Sequence, residues 1–262
     1  MTNVVRLNKT KLKIQSGEIA IGAMHAYNSP ESVEVLAALG FDFVTFDLEH
    51  EAYDELALVE SIRAAEAFDL TPIVRLPNDP DLILRLLDAG AQGIHVPRIN
   101  TKSDARSVVA ACRFHPQGER TFYALGRSGN YGIGLSEEEY AQSSNRETLI
   151  ILQIEEEEGI SNLHEIISVP YIDSIQFGPK DLWQSMGMPD RSLVWEVIYK
   201  SLAEVSKAGL YGSMVSWLNS ELGSQLMEYD KKGVRMITVS SRELFIYGGQ
   251  HYLSLTRSAL NR

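Results

Sequence analysis

The sequence predicts an α/β protein folded as a single (β/α)8 TIM barrel, and three observations carry that prediction. Short β-branched runs alternate with longer segments of helical periodicity, eight times along the chain. One junction recurs: AALGFDFVTF, LDAGAQGIHV and DKKGVRMITV each place helix, glycine, two or three residues, then strand. That is the short αβ turn of a repeated βα unit. Eight such units in 262 residues match the usual size of such a barrel, roughly 250 residues.

Taken in order, the predicted strands are IAIGAMHA, FVTFDLE, TPIVRLP, GIHVPRI, LIILQIE, IDSIQFG, LYGSMVS and MITVSS. Between them ESVEVLAALG, DELALVESIRAAEAF, DLILRLLDAG, SDARSVVAACR, VWEVIYKSLAEVSKAG and SELGSQLMEYDKKG repeat apolar residues at i, i+3 and i+4. Several end in a glycine suited to a helix C-cap. A doubly wound open sheet is the alternative topology, but no G-x-G-x-x-G follows the first strand to support a dinucleotide crevice. No Pro/Ser-rich linker or low-complexity stretch divides the chain, so residues 1–262 read as one domain. The irregular exception is RFHPQGERTFYALGRSGNYGIG, residues 113–134, a long Gly- and Arg-rich loop before the fifth strand.

Composition narrows the function classes. With 44% hydrophobic residues the chain can bury a large core. Its 35 acidic residues outnumber 24 basic ones, for a net charge of −11. That disfavours nucleic acid and anionic membrane as partners, because phosphate neutralisation needs clustered Lys and Arg. Cys112 is the only cysteine, so no intrachain disulfide can form and a reducing compartment fits best. The N-terminus lacks an apolar signal-peptide core and no run of about 18 apolar residues exists. A soluble, cytoplasmic protein is expected.

In a barrel the functional address is the C-terminal end of the strands, where the βα loops begin. Strand two ends FDLEH, offering Asp47, Glu49 and His50; strand three offers Arg75. Strand five ends in Gln153 and Glu155, and strand six runs into Gly178, Pro179, Lys180 and Asp181. Side chains alternate faces, so Gln153 and Glu155 share one. Glu155 is therefore the glutamate of LQIEEEEGI that can point to the barrel axis. Glu156, Glu157 and Glu158 suit a solvated helix start, where acids favour the dipole. Plainer readings stand beside the functional ones: Asp181 as a helix N-cap, Lys180 as solvent-facing, and His25, His50 and His95 as hydrogen-bonded strand-end residues. Two carboxylates at adjacent strand ends, with His and Arg nearby, suit a hard divalent ion such as Mg²⁺ or Mn²⁺. The three Cys or His ligands of a catalytic zinc site are not grouped anywhere. A guanidinium at the barrel mouth needs an anionic partner, which the carboxylates or an oxyanion would supply to Arg75.

The stretches SPESVEVLAALGFDFVTFDLEH, PIVRLPNDPDLILRLLDAGAQGIHVPRINT, RFHPQGER, LQIE and FGPKDLWQSMG, in this order, resemble the class II pyruvate aldolases of the HpcH/HpaI family. That family includes 4-hydroxy-2-oxoheptanedioate and 2-dehydro-3-deoxyglucarate aldolases, and the resemblance runs from about residue 18 to 245. It implies a barrel of the phosphoenolpyruvate/pyruvate superfamily and a homo-oligomer, trimer or hexamer, whose last helix is exchanged between neighbours. It also implies reversible cleavage of a 4-hydroxy-2-oxo acid to pyruvate, or a related 2-oxo acid, and an aldehyde. Residue by residue, it assigns Glu155 and Asp181 as ligands of Mg²⁺, with Mn²⁺ or Co²⁺ as alternatives. His50 becomes the acid/base, oriented by Asp47, and Arg75 the contact to the ketone or enolate oxygen. Gln153 sits beside the metal, and the Gly178–Pro179–Lys180–Asp181 turn holds the pyruvate carboxylate through backbone N–H groups. Asp88 matches an acid projected towards a neighbouring active site.

Three departures from the family pattern stand out: Lys180 within GPKD, Thr121 after Arg120, and VSSREL near the C-terminus. None removes the proposed metal or base residues. Two rival functions remain. A citramalyl- or malyl-CoA type lyase would use the same barrel and metal but needs a basic nucleotide pocket, with Arg98, Lys102, Arg113, Arg120 and Arg127 as candidates. A non-catalytic barrel is the other, disfavoured by Glu155, Asp181, His50 and Arg75 occurring together.

Overall fold

The fold is described by a computed structural model covering residues 5–260. Eight parallel strands close into a barrel in sequence order: β1 (Ala20–His25), β2 (Phe43–Asp47), β3 (Thr71–Arg75), β4 (Gly93–Val96), β5 (Leu149–Ile154), β6 (Ser174–Phe177), β7 (Tyr211–Val215) and β8 (Val234–Ser240). β8 pairs back onto β1, which removes both sheet edges and excludes the open doubly wound alternative.

The helices that alternate with these strands follow the predicted segments: α2 (Pro30–Ala38), α3 (Glu55–Ala67), α4 (Pro80–Ala89), α5 (Lys102–Cys112), α10 (Arg191–Lys207) and α11 (Leu222–Lys231). Their ends are written into the sequence. α4 has Pro80 in its first turn and Asp79 accepting from the Asp81 and Leu82 amides. It stops at Gly90, whose φ of 114° is one a side chain would resist. α5 opens with a Thr101/Asp104 capping box.

Shorter or more polar helices lay outside the periodicity signal. α1 (Lys9–Gln15) closes the lower end of the barrel, held by Asn8 Nδ2 donating to the Gln92 and Glu147 carbonyls. The 113–134 loop contains a 3₁₀ turn, Arg127–Gly132, and leads into α6 (Glu137–Glu147). α6 has almost no apolar stripe, but a Ser136/Glu139 capping box starts it. α7 (Glu157–Ser161), α8 (Leu163–Ile166) and α9 (Pro179–Ser185) are short pieces after β5 and β6. α12 (Ser241–Ala259) buries only Ser241.

The barrel interior has two layers. Its lower half is apolar, with Ala20, Phe43, Ile73, Leu149, Ile151 and Met236 packed above Ile14 of α1. Gly22 makes room for the Phe43 ring: a Cβ there would fall 2.2 Å from a ring carbon. A larger cluster lines the outside of the barrel against the helices. The upper half of the interior is polar, and there the site lies.

Candidate active site

Register brings the polar residues together. Asp47 of β2 is the neighbour of Arg75 of β3, which neighbours His95 of β4; Gln153 of β5 neighbours Gln176 of β6. Arg75 forks onto Asp47, with Nε to Oδ1 at 2.9 Å and Nη2 to Oδ2 at 2.5 Å. The Asp47 carboxylate also accepts from the Glu49 and His50 amides. Burial alone would raise its pKa, but the bonds and charge of Arg75, with those amides, hold it below the usual carboxylate range. Arg75 is itself buried, yet Asp47, then Glu49 and Glu155, raise its pKa.

A second chain of bonds orients Glu155. Ser213 Oγ donates to Gln176, Gln176 Nε2 to Gln153 Oε1 at 3.1 Å, and Gln153 Nε2 to Glu155 Oε2. His95 Nε2 also lies 2.7 Å from Gln153 Oε1. Burial, then the charge of Arg75, pushes the His95 pKa down to about 3. The ring is therefore neutral and acts as the N–H donor, which fixes the Gln153 amide with its nitrogen toward Glu155. His95 and His25 keep their structural reading; His25 is buried between Tyr53 and Ser32, its pKa down to about 4 by burial.

Glu155 follows β5 directly, and its contact with Gln153 agrees with the shared face expected of them. Its carboxyl packs against Gly178, where a Cβ would lie 2.5 Å from Oε2, so a side chain there would displace Glu155. Burial, then the charges of Asp181 and Glu49, raises the Glu155 pKa, despite bonds from Gln153 and the Arg98 amide. These acids crowd one another in a way that a cation would relieve.

Asp181 is the third residue of α9, whose N-cap is Gly178. The N-cap reading of Asp181 is thus corrected. Its exposed carboxylate lies where two adjoining cavities meet. One, about 460 Å³, is lined by Glu49, His50, Arg98, Glu155 and Glu156; the other, about 240 Å³, by Arg75, Gln153, Gly178, Lys180 and Trp217. Eight of the predicted site residues, Pro179 among them, line this pair of cavities. Asp47 supports them from below through Arg75.

Three expectations change. The His50 ring is exposed and is not bonded to Asp47, which takes its backbone amide instead. The turn after β6 offers fewer amides than expected: Pro179 has none, and the Gly178 N–H donates to the Ile154 carbonyl at 3.1 Å. Lys180 and Asp181 are left to serve. Asp88, expected to face a neighbouring site, lies near the C-terminal end of α4, bonded to Arg120 at 2.6 Å and apart from this chain's own cluster. The basic residues do not form one nucleotide pocket. Arg113 and Arg120 are buried in ion pairs with Asp173 and Asp88, Arg127 pairs with Glu66, and only Arg98 of the five lines either cavity.

Two residues of the site were not assigned from sequence. Glu49 bonds Arg98 Nη2 through Oε1 at 3.0 Å, and Arg98 donates its amide to Glu155 Oε1 at 3.1 Å. Arg98 has φ 56°, a left-handed value that costs energy in a non-glycine residue and is held here by both bonds. The Pro97–Arg98 pair gave no sequence sign of that backbone. Glu156 stands at the N-cap position of α7, without a side-chain capping bond, and Glu157 and Glu158 occupy its first turn, as expected of a helix start.

Comparisons with known proteins bear on the fold and the family. The family described as HpcH/HpaI aldolase/citrate lyase matches residues 21–216. A hydroxypyruvate/pyruvate aldolase of Sagittula stellata is 30% identical over 90% of this chain and 96% of its own length. A 5-keto-4-deoxy-D-glucarate aldolase of Escherichia coli is 34% identical over 71% of this chain and 72% of its own. A crystal structure of a family protein from Burkholderia cenocepacia superposes with a TM-score of 0.84 at 27% identity, covering 95% of this chain and 99% of that one. The chain belongs to the HpcH/HpaI aldolase/citrate lyase family.

Proposed function

We propose that this chain is a divalent-metal-dependent aldolase that reversibly cleaves a 4-hydroxy-2-oxo acid to pyruvate, or a related 2-oxo acid, and an aldehyde. The observation that carries this reading is the meeting of Glu155, Asp181, Arg75 and His50 around two cavities joined at Asp181. Glu155 and Asp181 are the residues that would hold the ion. Both are hard oxygen donors, and no cage of three His, Cys, Asp or Glu side chains forms among the described residues. A pair of carboxylates without imidazole or thiolate partners would suit Mg²⁺, Mn²⁺ or Co²⁺. When bound, such an ion supplies Lewis-acid polarisation of the 2-oxo and carboxylate oxygens.

The chain's own residues do the rest. Arg75, fixed by Asp47, presents its remaining N–H groups to the C2 oxygen, where negative charge develops. The Lys180 and Asp181 amides are placed for the substrate carboxylate. His50, directly or through water, accepts the proton of the 4-hydroxyl as the C3–C4 bond breaks. The bonding electrons pass to the C2 oxygen, leaving pyruvate enolate and an aldehyde. The same proton, returned to C3, completes pyruvate. Run backwards, these steps join the two.

Exposed Phe245, Tyr252 and Leu255 on α12 support assembly into a homo-oligomer with that helix exchanged, and Asp88 toward a neighbour's site belongs to the same proposal. No helix of the described residues is long and apolar enough to cross a membrane. The test is pyruvate release from a panel of 4-hydroxy-2-oxo acids, run beside citramalyl- and malyl-CoA. Release from the oxo acids alone is expected; cleavage of the thioesters alone would move the chain to the lyase reading.

A further inference from the structure

We infer that Glu49 is the residue that positions the His50 imidazole. The inference rests on the reading above, in which His50 moves the proton. Asp47 is committed elsewhere. Its Oδ1 accepts from Arg75 Nε and from the Glu49 and His50 amides, its Oδ2 takes Arg75 Nη2 at 2.5 Å, and neither oxygen is bonded to the His50 ring.

Glu49 has the capacity. Its side chain is only 8% exposed and is fixed at one end by Arg98, bonded to Oε1 at 3.0 Å. Oε2 lies 3.5 Å from Arg75 Nη1, outside good hydrogen-bond geometry, and has no hydrogen-bond partner among the described residues. A buried carboxylate oxygen without a donor is unfavourable and rare. The next donor to it is His50 Nε2, 3.7 Å away on a ring that is 60% exposed and free to turn. A small rotation, or one bridging water, closes that gap. The same oxygen thus faces Arg75 and His50, linking the group that receives the developing charge to the group that moves the proton.

The consequence follows from imidazole chemistry. A carboxylate bonded to one ring nitrogen fixes the tautomer and holds the ring plane, while the other nitrogen exchanges the proton. Glu49 touches no reacting atom in this arrangement; it acts through His50.

Glu49→Gln keeps the shape and removes the charge. In the resting protein, ¹⁵N spectra of the histidine rings, with His50 assigned by its loss in His50→Ala, should show one fixed tautomer. In Glu49→Gln that signal should average between tautomers. In turnover the variant should lose roughly tenfold in kcat with KM nearly unchanged. It should lose nothing further once His50 is already Ala, because the two act as one unit. Glu49→Asp should recover part of the loss. An unaltered His50 ring in Glu49→Gln, or losses that multiply in the double variant, would overturn the inference. An active wild type with those results leaves the aldolase reading intact. An inactive wild type removes the aldolase reading while the ring spectra still decide the role of Glu49.

Discussion

The two halves of the barrel interior use the same strands for opposite purposes. Two or four residues along each strand separate Phe43 from Asp47, Ile73 from Arg75, Ile151 from Gln153, and Met236 from Thr238. Below, the side chains are apolar and need nothing but volume. Above, each buried polar group depends on a named partner, as the Ser213–Gln176–Gln153–Glu155 chain shows. The difference teaches that stability and chemistry share a backbone but not a layer, as expected of a barrel whose loops sit at the strand ends. Variants should therefore separate by layer.

The sharpest separation is Glu155→Gln. Loss of a ligand worth several kcal/mol should cut turnover by roughly 10³-fold or more. The melting temperature should not fall, because burial and the nearby acids already disfavour the Glu155 charge. A lowered melting temperature would merge the layers. In the lower half the expected result is reversed. Phe43→Ala should cost about 3–5 kcal/mol of unfolding free energy, and the enzyme that remains folded should turn over at the wild-type rate.

Arg75 is the residue most able to break the division. Arg75→Ala should lower kcat about 10²–10³-fold, as for loss of an oxyanion donor. It also leaves Asp47 buried without its cation, so denaturant midpoints should fall together with activity. Normal kinetics with reduced stability would make Arg75 a structural residue of the lower kind.

A smaller effect comes from pH. His95 is neutral in the fold with its pKa lowered to about 3 from 6.5. Between those values the unfolded chain binds a proton that the folded one refuses, so stability rises with pH through this window and falls on acidification. The slope is at most about 1.4 kcal/mol per pH unit for one such proton. Urea midpoints measured from pH 7 down to 4.5 should fall less steeply in His95→Gln than in wild type. Parallel curves would mean that His95 takes up its proton as readily in the fold as in the unfolded chain.

The lower layer and the barrel closure were legible in the sequence because β-branched runs and helix–Gly–strand junctions repeat with fixed period. The polar α6 and the short α1 were not, since neither has an apolar stripe for periodicity to detect. At the site, strand-end position singled out Asp47, Arg75, Gln153 and Glu155, whose partners are in register on adjacent strands. What strand position could not supply was division of labour among neighbours. Asp47 and Glu49 are two residues apart and equally acidic, and only the fork of Arg75 onto the first leaves the second for Arg98 and His50. The loop arginines follow the same logic: their charge is visible in sequence, but the carboxylates that Arg113, Arg120 and Arg127 pair with are not.

The central claim is that Glu155 and Asp181 act through a divalent ion and that Lys180, their exposed neighbour, forms no Schiff base with substrate. The direct measurement is pyruvate release by EDTA-treated enzyme before and after adding Mg²⁺, Mn²⁺ or Co²⁺, with borohydride and pyruvate added to a parallel sample. Activity should vanish on chelation and return with the metal, and mass spectrometry should find no adduct. Turnover that survives chelation, together with pyruvate trapped on Lys180, would contradict it.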